Sequence, residues 1–263
     1  MARKRTRLDV LLTERELFPS RTAAAQAIRA GQVKLGEDGA VALRPSQEVP
    51  NEQPIVVIGG RKFVSRGGIK LENALDALGV DVVGRNCLDV GASTGGFTDC
   101  LLTRDAAHVI SLDVAYGQID DTIRHHPRVT VIERLNARDL LPRDLEYRPD
   151  LAVIDVSFIS LTKVLEAVLN CMAEDGEILA MVKPQFELGR KRVGRGGVVR
   201  SADDRREAVE SVADFAIGLG MTLRGIAPTG LPGPKGNLET FIRLGRSGEG
   251  AHSGALLCDG VEL

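Results

Sequence analysis

From Asn86 onward, short apolar runs alternate with segments of helical periodicity, and this alternation limits the fold more than any other feature of the chain. "NCLDVGA", "HVISLDVA", "VTVIERLNA", "DLAVIDVSF" and "GEILAMVKP" read as strands. Between them lie the helical segments "GFTDCLLTRDA", "GQIDDTIRHH" and "SLTKVLEAVLNCM", the last with Leu161, Leu165, Val168 and Leu169 on one face. Strands linked through helices pair in parallel and are covered on both faces, which predicts a doubly wound α/β sheet. A further helix, "DDRREAVESVADFAIGLG", has Val212, Phe215, Ala216 and Leu219 on its apolar stripe. It precedes "MTLRGIAP" and "NLETFIRLG", two strands joined by a Gly/Pro-rich loop and no helix, so they are expected to pair antiparallel.

The region ahead of this pattern differs in charge and in texture. Residues 1–62 hold 11 Lys/Arg against 7 Asp/Glu, with Arg3, Lys4, Arg5 and Arg7 clustered, although the whole chain has a net charge of −2. "LDVLLTEREL" predicts a short helix and "PSRTAAAQAIRAG" a second, with Ser20 as its N-cap and Gly31 at its end. "QVKLG" and "PIVVI" read as short strands, and "GGRK" at Gly59–Lys62 interrupts the pattern as a connection would. With 263 residues the chain accommodates a sizeable domain and a small one. The expected divisions are 1–59, a linker at 60–63, a larger domain at 64–246 and a tail at 247–263. No apolar run is long enough to cross a bilayer and the first residues lack a secretory signal, so a cytoplasmic protein without a membrane partner is expected. Cys87, Cys100, Cys171 and Cys258 are scattered singly, which argues for reduced core thiols and against a metal or disulfide framework.

"DVGASTGGFTDCLL", at Asp89–Leu102, places a glycine turn between the first strand of the alternation and the helix after it. The dinucleotide pattern G-x-G-x-x-G fails because Ser93 stands where the middle glycine is needed, and no G-K-[ST] follows for a nucleotide phosphate. Asp89 ends the strand, and Asp113 ends the next one at the spacing of a ribose-binding carboxylate. This suits a nucleoside without phosphates. S-adenosyl-L-methionine is such a ligand, with ribose hydroxyls and a cationic sulfonium that favour nearby acids. A turn of this kind also occurs for purely structural reasons.

Chemistry at the carboxyl edge of such a sheet falls to the ends of the fourth and fifth strands, which carry Asp155 in "VIDVSF" and Lys183 in "MVKPQFE". Methylation of a pyrimidine carbon needs a cysteine nucleophile there, and Cys171 lies in a predicted helix instead. An exocyclic amine acceptor calls for an [Asn/Asp]-Pro-Pro-aromatic loop, of which "DVSF" keeps the acid and the aromatic but no proline. A ribose 2′-hydroxyl is a very weak acid, so its site must stabilise developing alkoxide, as a lysine beside a carboxylate does. In "VSRGGIKLENALDALG" Lys70 lies on the flank of a stripe formed by Leu71, Leu75 and Leu78, and "GNLETF" puts Glu239 at the start of the last strand. Phe158 lies in an apolar run close to Asp155, where core packing and stacking on an adenine are both open.

"SRGGIKL", "GASTGGFTD", "VIDVSFISL", "VKPQFE" and "LPGPKGNLE" closely resemble the TlyA group of ribosomal RNA 2′-O-methyltransferases, whose catalytic fold is shared with the FtsJ/RrmJ heat-shock methyltransferases. The resemblance implies a Rossmann-like class I S-adenosylmethionine-dependent methyltransferase with a mostly parallel seven-stranded sheet, an antiparallel last strand and a small α+β RNA-binding domain before it. It implies a catalytic tetrad at Lys70, Asp155, Lys183 and Glu239. It implies a methionine cradle at Gly91, Ala92, Ser93, Thr94, Gly95, Gly96 and Phe97, with Asp89 also contacting the cofactor and Asp113 near the ribose. S-adenosyl-L-methionine is then the donor, and cytidine ribose in ribosomal RNA or ribosomal subunits the acceptor.

"RLDVLLTERELFPSRTAAAQAIRAGQVKLG" in turn resembles the small RNA-binding domain of a small-subunit ribosomal protein, of pseudouridine synthases and of bacterial tyrosyl-tRNA synthetases. This implies that Ser20, Arg21, Arg29 and Lys34, with the basic arm Arg3, Lys4, Arg5 and Arg7, face RNA phosphates. A second basic segment, "ELGRKRVGRGGVVR", interleaves Arg190, Lys191, Arg192 and Arg195 with glycines directly after the Lys183 strand. It reads as a solvated loop or as a lid that orders on RNA. With 3% aromatic residues and no tryptophan, shape and phosphate recognition is expected to outweigh base stacking. A non-catalytic RNA-binding assembly protein is the rival reading. The haemolysin name also used for the group finds no membrane-spanning or strongly amphipathic segment here.

Overall fold

The computed structural model describes residues 5–246, apart from 19, 38, 59–61, 190, 191 and 195. The chain divides into two compact units, Met1–Lys62 and Phe63–Leu263. Arg3, Lys4, Arg190, Lys191, Arg195 and Cys258, singled out above, lie outside the described residues.

In the smaller unit β1 (Arg5–Arg7) runs directly into α1 (Leu8–Glu14), followed by α2 (Arg21–Arg29). Ser20 is extended, and its Oγ accepts the Ala23 N–H at 3.1 Å, the local bond that starts α2. β2 (Val33–Lys34), β3 (Glu48–Pro50) and β4 (Val56–Val57) complete the unit, with β1 antiparallel to β3 and β2 antiparallel to β4. β1 and β3 were not expected, because "RTR" and "EVP" lack the apolar alternation that marks a strand. Leu8, Leu11 and Leu12 of α1 pack on Ala24, Ala27 and Ile28 of α2, and Val33, Ala42 and Val49 close this core.

The larger unit opens with α3 (Arg66–Leu78), whose N-cap Ser65 accepts the Gly67 N–H. There follow β5 (Asn86–Val90), α4 (Gly96–Thr103), β6 (His108–Asp113), α5 (Asp121–Arg124), β7 (Val129–Glu133) and β8 (Leu151–Ile154). α6 (Leu165–Cys171), β9 (Glu177–Val182), α7 (Pro184–Glu187), α8 (Ala202–Gly218), β10 (Thr222–Pro228) and β11 (Thr240–Gly245) complete it. The seven strands form one sheet in the order β10-β11-β9-β8-β5-β6-β7. The five from β9 to β7 are parallel, and β11 runs antiparallel to both its neighbours. The final hairpin therefore forms as its helix-free connection predicts, with β11 inserted between β9 and β10.

Side-chain parity divides the core into two layers. Leu88, Val90, Ala152, Ile154, Ile178 and Ala180 face a layer containing α6 and α8 residues, while Cys87, Leu151, Val153, Leu179 and Met181 face Leu71 and Leu75 of α3 and Phe97 and Leu101 of α4. Two expected helices are shorter than their periodicity suggested. α5 is a single turn capped by Asp120. α6 begins at Leu165, with Leu161 in a separate 3₁₀ turn that still buries it in the same layer. On α8, Val212 and Ala216 are buried but Phe215 and Leu219 only partly so. Cys87, Cys100 and Cys171 are buried, and no disulfide forms among the described residues.

Candidate functional site

The turn between β5 and α4 is shaped by two glycines. Gly91 has φ +87°, and a Cβ there would lie 2.6 Å from the Asp155 carbonyl oxygen, so only a hydrogen fits where the strand ends of β5 and β8 converge. Gly95, at φ +89°, is the left-handed N-cap of α4. The Ser93 N–H donates to Asp113 Oδ2 and the Ala115 N–H to Asp113 Oδ1, both at 2.7 Å, so Asp113 fixes the turn and its own loop together.

Asp89 is placed differently from a ligand-contacting acid. It is wholly buried beneath the turn, outside both cavities described below, and one carboxyl oxygen accepts both the Thr98 N–H at 2.9 Å and the Thr98 hydroxyl at 2.7 Å. Its other oxygen has no hydrogen-bond partner. Burial pushes the carboxyl up to about 7, against the opposing Thr98 hydrogen bonds. Asp89 thus braces β5 against the first turn of α4 and lines neither cavity, where a cofactor contact was expected of it. Gly95 likewise shapes the turn without lining either cavity.

The antiparallel course of β11 brings its N-terminal end to the edge where the parallel strands have their C-terminal ends. Thr240 pairs with Val182, which sets Glu239 beside Lys183 in the next register step. Lys70 reaches the same edge from the flank of α3, as its position beside the buried Leu71 and Leu75 predicts. Lys70 Nζ forms an ion pair with Glu239 Oε2, and Lys183 Nζ one with Asp155 Oδ1. Lys183 also donates to the Ser157 hydroxyl at 2.8 Å. The first pair is sealed, with side chains 8% and 2% exposed; the second is more open, at 10% and 26%.

All four residues line a cavity of about 660 Å³ that also takes in Gly91, Ala92, Ser93, Thr94, Gly96 and Phe97. A second cavity of about 640 Å³ is bordered by Asp113, Val114, Asn136 and Arg138. The two share Gly91, Ser93, Asp155, Ser157 and Phe158. Phe158 is not core: it is 92% exposed at φ +65°, its ring 5.3 Å from that of Phe186. The loop bearing it is fixed by Glu187, which accepts from the Ser160 hydroxyl and from the Leu161 N–H; burial raises this carboxyl above its ordinary range. Sequence reasoning passed over Ser157 and Glu187. Ser157 lies inside the quoted "DVSF", but a serine there carries no signal until the Lys183 ammonium is seen to reach it.

The basic residues are placed less uniformly. Arg29 is exposed and Lys34 half-buried. Arg5 donates to the Glu48 carbonyl, and Arg7 grips Asp9, to which Arg21 also lies 3.6 Å away. The Ser20 hydroxyl serves α2 as its cap. Arg192, expected as an RNA contact, is exposed, and its guanidinium is engaged by Asp204 and Glu207 of α8. No group of metal-ligating side chains occurs among the described residues.

Comparison with known proteins matches residues 63–246 to the FtsJ-like methyltransferase model and residues 6–52 to the S4 domain. The chain belongs to the FtsJ-like methyltransferase family. Within this family it is 46% identical, over 98% of its length and 96% of the other's, to the 16S/23S rRNA (cytidine-2′-O)-methyltransferase TlyA of Mycobacterium tuberculosis. It is 36% identical to Hemolysin A of Brachyspira hyodysenteriae, over 89% of this chain and 97% of that one. A solved structure of a hemolysin-named protein from Streptococcus thermophilus superposes with a TM-score of 0.72 at 35% identity, covering 95% of this chain and 91% of that one. The FtsJ-like fold is that of S-adenosylmethionine-dependent methyltransferases, with the S4 domain at the N-terminal side. No helix among the described residues is long and apolar enough to cross a membrane.

Proposed function

We propose that the protein methylates the ribose 2′-hydroxyl of cytidine in ribosomal RNA, with S-adenosyl-L-methionine as donor, and that it acts in the cytoplasm on ribosomal RNA or subunits. The observation that carries this reading is the pair of lysine–carboxylate ion pairs, Lys70–Glu239 and Lys183–Asp155, lining one cavity with the glycine turn. The family match, and the activity named for the relative from M. tuberculosis, agree with it.

The residues present fit the donor. At Gly91 a side chain would fill the strand-end space, and the cavity beside Asp113 offers carboxylate and apolar surface but no phosphate-binding lysine of the G-K-[ST] type. In this reading Gly91 to Phe97 hold the methionine part, Asp113 braces the ribose side through the Ser93 and Ala115 amides, and Phe158 supplies an aromatic face for the adenine. Bound there, S-adenosyl-L-methionine supplies an electrophilic methyl on a sulfonium.

The chain's own residues do the rest. A 2′-hydroxyl resists ionisation, so the barrier to its attack falls when cations are fixed beside the oxygen as charge develops. Lys183 is such a cation. Asp155 and the Ser157 hydroxyl hold its ammonium in place, which removes the cost of orienting it during reaction. Lys70 is a second, held by the buried Glu239. The carboxylates leave each lysine pair without net charge, and in this reading the more open Asp155 takes up the hydroxyl proton. The S4 unit then contributes RNA affinity through Arg21, Arg29, Lys34 and the arm containing Arg5 and Arg7, while the larger unit performs the chemistry.

The test is to incubate undermethylated ribosomal subunits with labelled donor and map the product. Label on a cytidine ribose, lost in Lys183→Ala, is the expected result. Label on a base, or full activity in Lys183→Ala, overturns the mechanism.

A further inference from the structure

The charged side chains lining the larger cavity, among the described residues, are Arg66, Lys70, Asp155, Lys183, Lys235 and Glu239. Four of these cancel in the two ion pairs. Arg66 and Lys235 have no carboxylate partner among the described residues, so the uncompensated charge of the cavity is theirs, and it is positive.

Both cations sit on a scaffold with a defined shape. Arg66 is the first residue of α3, and its guanidinium donates to the Pro232 carbonyl at 2.8 Å, in the Gly/Pro-rich loop that carries Lys235. That loop is closed by the Gly233 N–H to the Asn237 carbonyl at 2.8 Å and the Gly236 N–H to the Gly233 carbonyl at 2.9 Å. Gly233 lies so close to Glu239 that a Cβ would come within 2.5 Å of its Oε1. The side chain of Asn237, buried, accepts from the Val199 N–H and donates to the Gly197 carbonyl. Lys235 is itself exposed. The strand that delivers Glu239 therefore also fixes the loop that presents the free ammonium.

A 2′-hydroxyl in a polynucleotide never arrives alone. The neighbouring 3′-oxygen is esterified, so a phosphodiester anion accompanies the reacting oxygen and repels the negative charge that develops on it. Lysines already paired with carboxylates stabilise the reacting oxygen locally but leave the phosphodiester itself without a counter-charge. We propose that Arg66 and Lys235 clamp the phosphodiester attached to the acceptor nucleotide, positioning its ribose over the two lysine–carboxylate pairs. Arginine suits the planar fork geometry of a phosphate, and its bond to Pro232 leaves further N–H donors free to bind. The proposal rests on the 2′-O reading above. The carboxylate of the donor's methionine is the other anion that could meet these cations, and the experiment separates the two.

Arg66→Ala, Lys235→Ala and Lys235→Arg are compared with the parent for KM and kcat on undermethylated ribosomal subunits. Affinity for S-adenosyl-L-methionine is measured by calorimetry, and the salt dependence of binding is measured with an unmodified ribosomal RNA fragment. Each alanine variant is expected to raise the RNA KM about tenfold and to lower the salt slope by about one, with donor affinity within about twofold of the parent and Lys235→Arg close to normal. Lys235 is exposed, so its substitution leaves the melting temperature unchanged and keeps the test meaningful if Arg66→Ala loosens the loop. An unchanged RNA KM and salt slope in Lys235→Ala overturns the clamp, and so does a loss confined to donor affinity, which would assign the cations to the methionine carboxylate. Failure of the 2′-O reading shows separately, as parent enzyme that places no label on ribose, and the salt slope still reports on the clamp in that case.

Discussion

The two units handle charge in opposite ways. In the larger unit the four charges proposed for the chemistry are matched one to one: buried Lys70 with buried Glu239, and buried Lys183 with half-buried Asp155. In the smaller unit arginines stand at the surface with partial engagement, Arg29 exposed and Arg7 and Arg21 sharing the buried acid Asp9. Bond-making chemistry needs cations whose orientation is fixed before the reaction, at a desolvation cost that only a paired carboxylate offsets. Affinity for a polyanion needs the reverse, cations that remain hydrated until they displace counterions. One chain supplies both because its units differ in depth of burial, not in the kind of residue they use.

This contrast breaks most sharply at Lys183. Lys183→Ala is expected to lower kcat about 10³-fold while ribosomal RNA binding stays near normal, as read by single-turnover methylation and by filter binding. Comparable losses in both would mean that the two functions are not separated between the units. Next in size is the sealed pair. Lys70→Ala strands the Glu239 carboxylate in a buried site, so chemical denaturation should show a loss of about 3–5 kcal/mol, whereas Asp155→Asn at the more open pair should lose less than half of that.

In the smaller unit, Arg21→Ala combined with Arg29→Ala should raise the RNA KM about tenfold and leave kcat and melting temperature alone, since Arg21 is exposed and the buried Asp9 keeps its closer partner Arg7. A drop in kcat with an unchanged KM would transfer these arginines to the chemical step.

The smallest effect concerns Asp89. Burial raises its folded carboxyl from 3.8 to about 7, so between these values the native state keeps a proton that the unfolded chain releases. The stability this proton provides is complete below about pH 4 and is lost as the pH rises through 7. Melting temperatures measured from pH 4 to 8 should therefore fall for the parent and flatten in Asp89→Asn; parallel curves would remove Asp89 from the account.

The sheet and its edge were legible because their causes are local or periodic. Apolar strand runs, glycines required by a tight turn, and an acid or lysine at a strand end all leave marks in one sequence. The Ser20 cap was readable for the same reason. What escaped depends on third dimensions that periodicity does not encode. Asp89 could be seen at the end of a strand, but not that Thr98 folds over it and shuts it from the cavity. Phe158 sits in an apolar run yet projects into solvent, because a left-handed backbone turns it out of the core. Arg192 looked like its neighbours in a basic run, and only the placement of α8 pairs it with Asp204 and Glu207. β1 and β3 gain their pairing from contacts across more than forty residues.

The insertion of β11 between β9 and β10 also bears on how the enzyme comes into being. The strand made last of the seven is the one that carries Glu239 to the edge and closes the loop over it. Until it docks, Lys70 lacks its counter-ion and the sheet is split, so a growing chain cannot assemble a working centre at any intermediate length. Competence therefore waits on the synthesis of β11, and a ribosome that stalls before residue 239 releases a protein with its turn and three of the four paired charges but without Glu239.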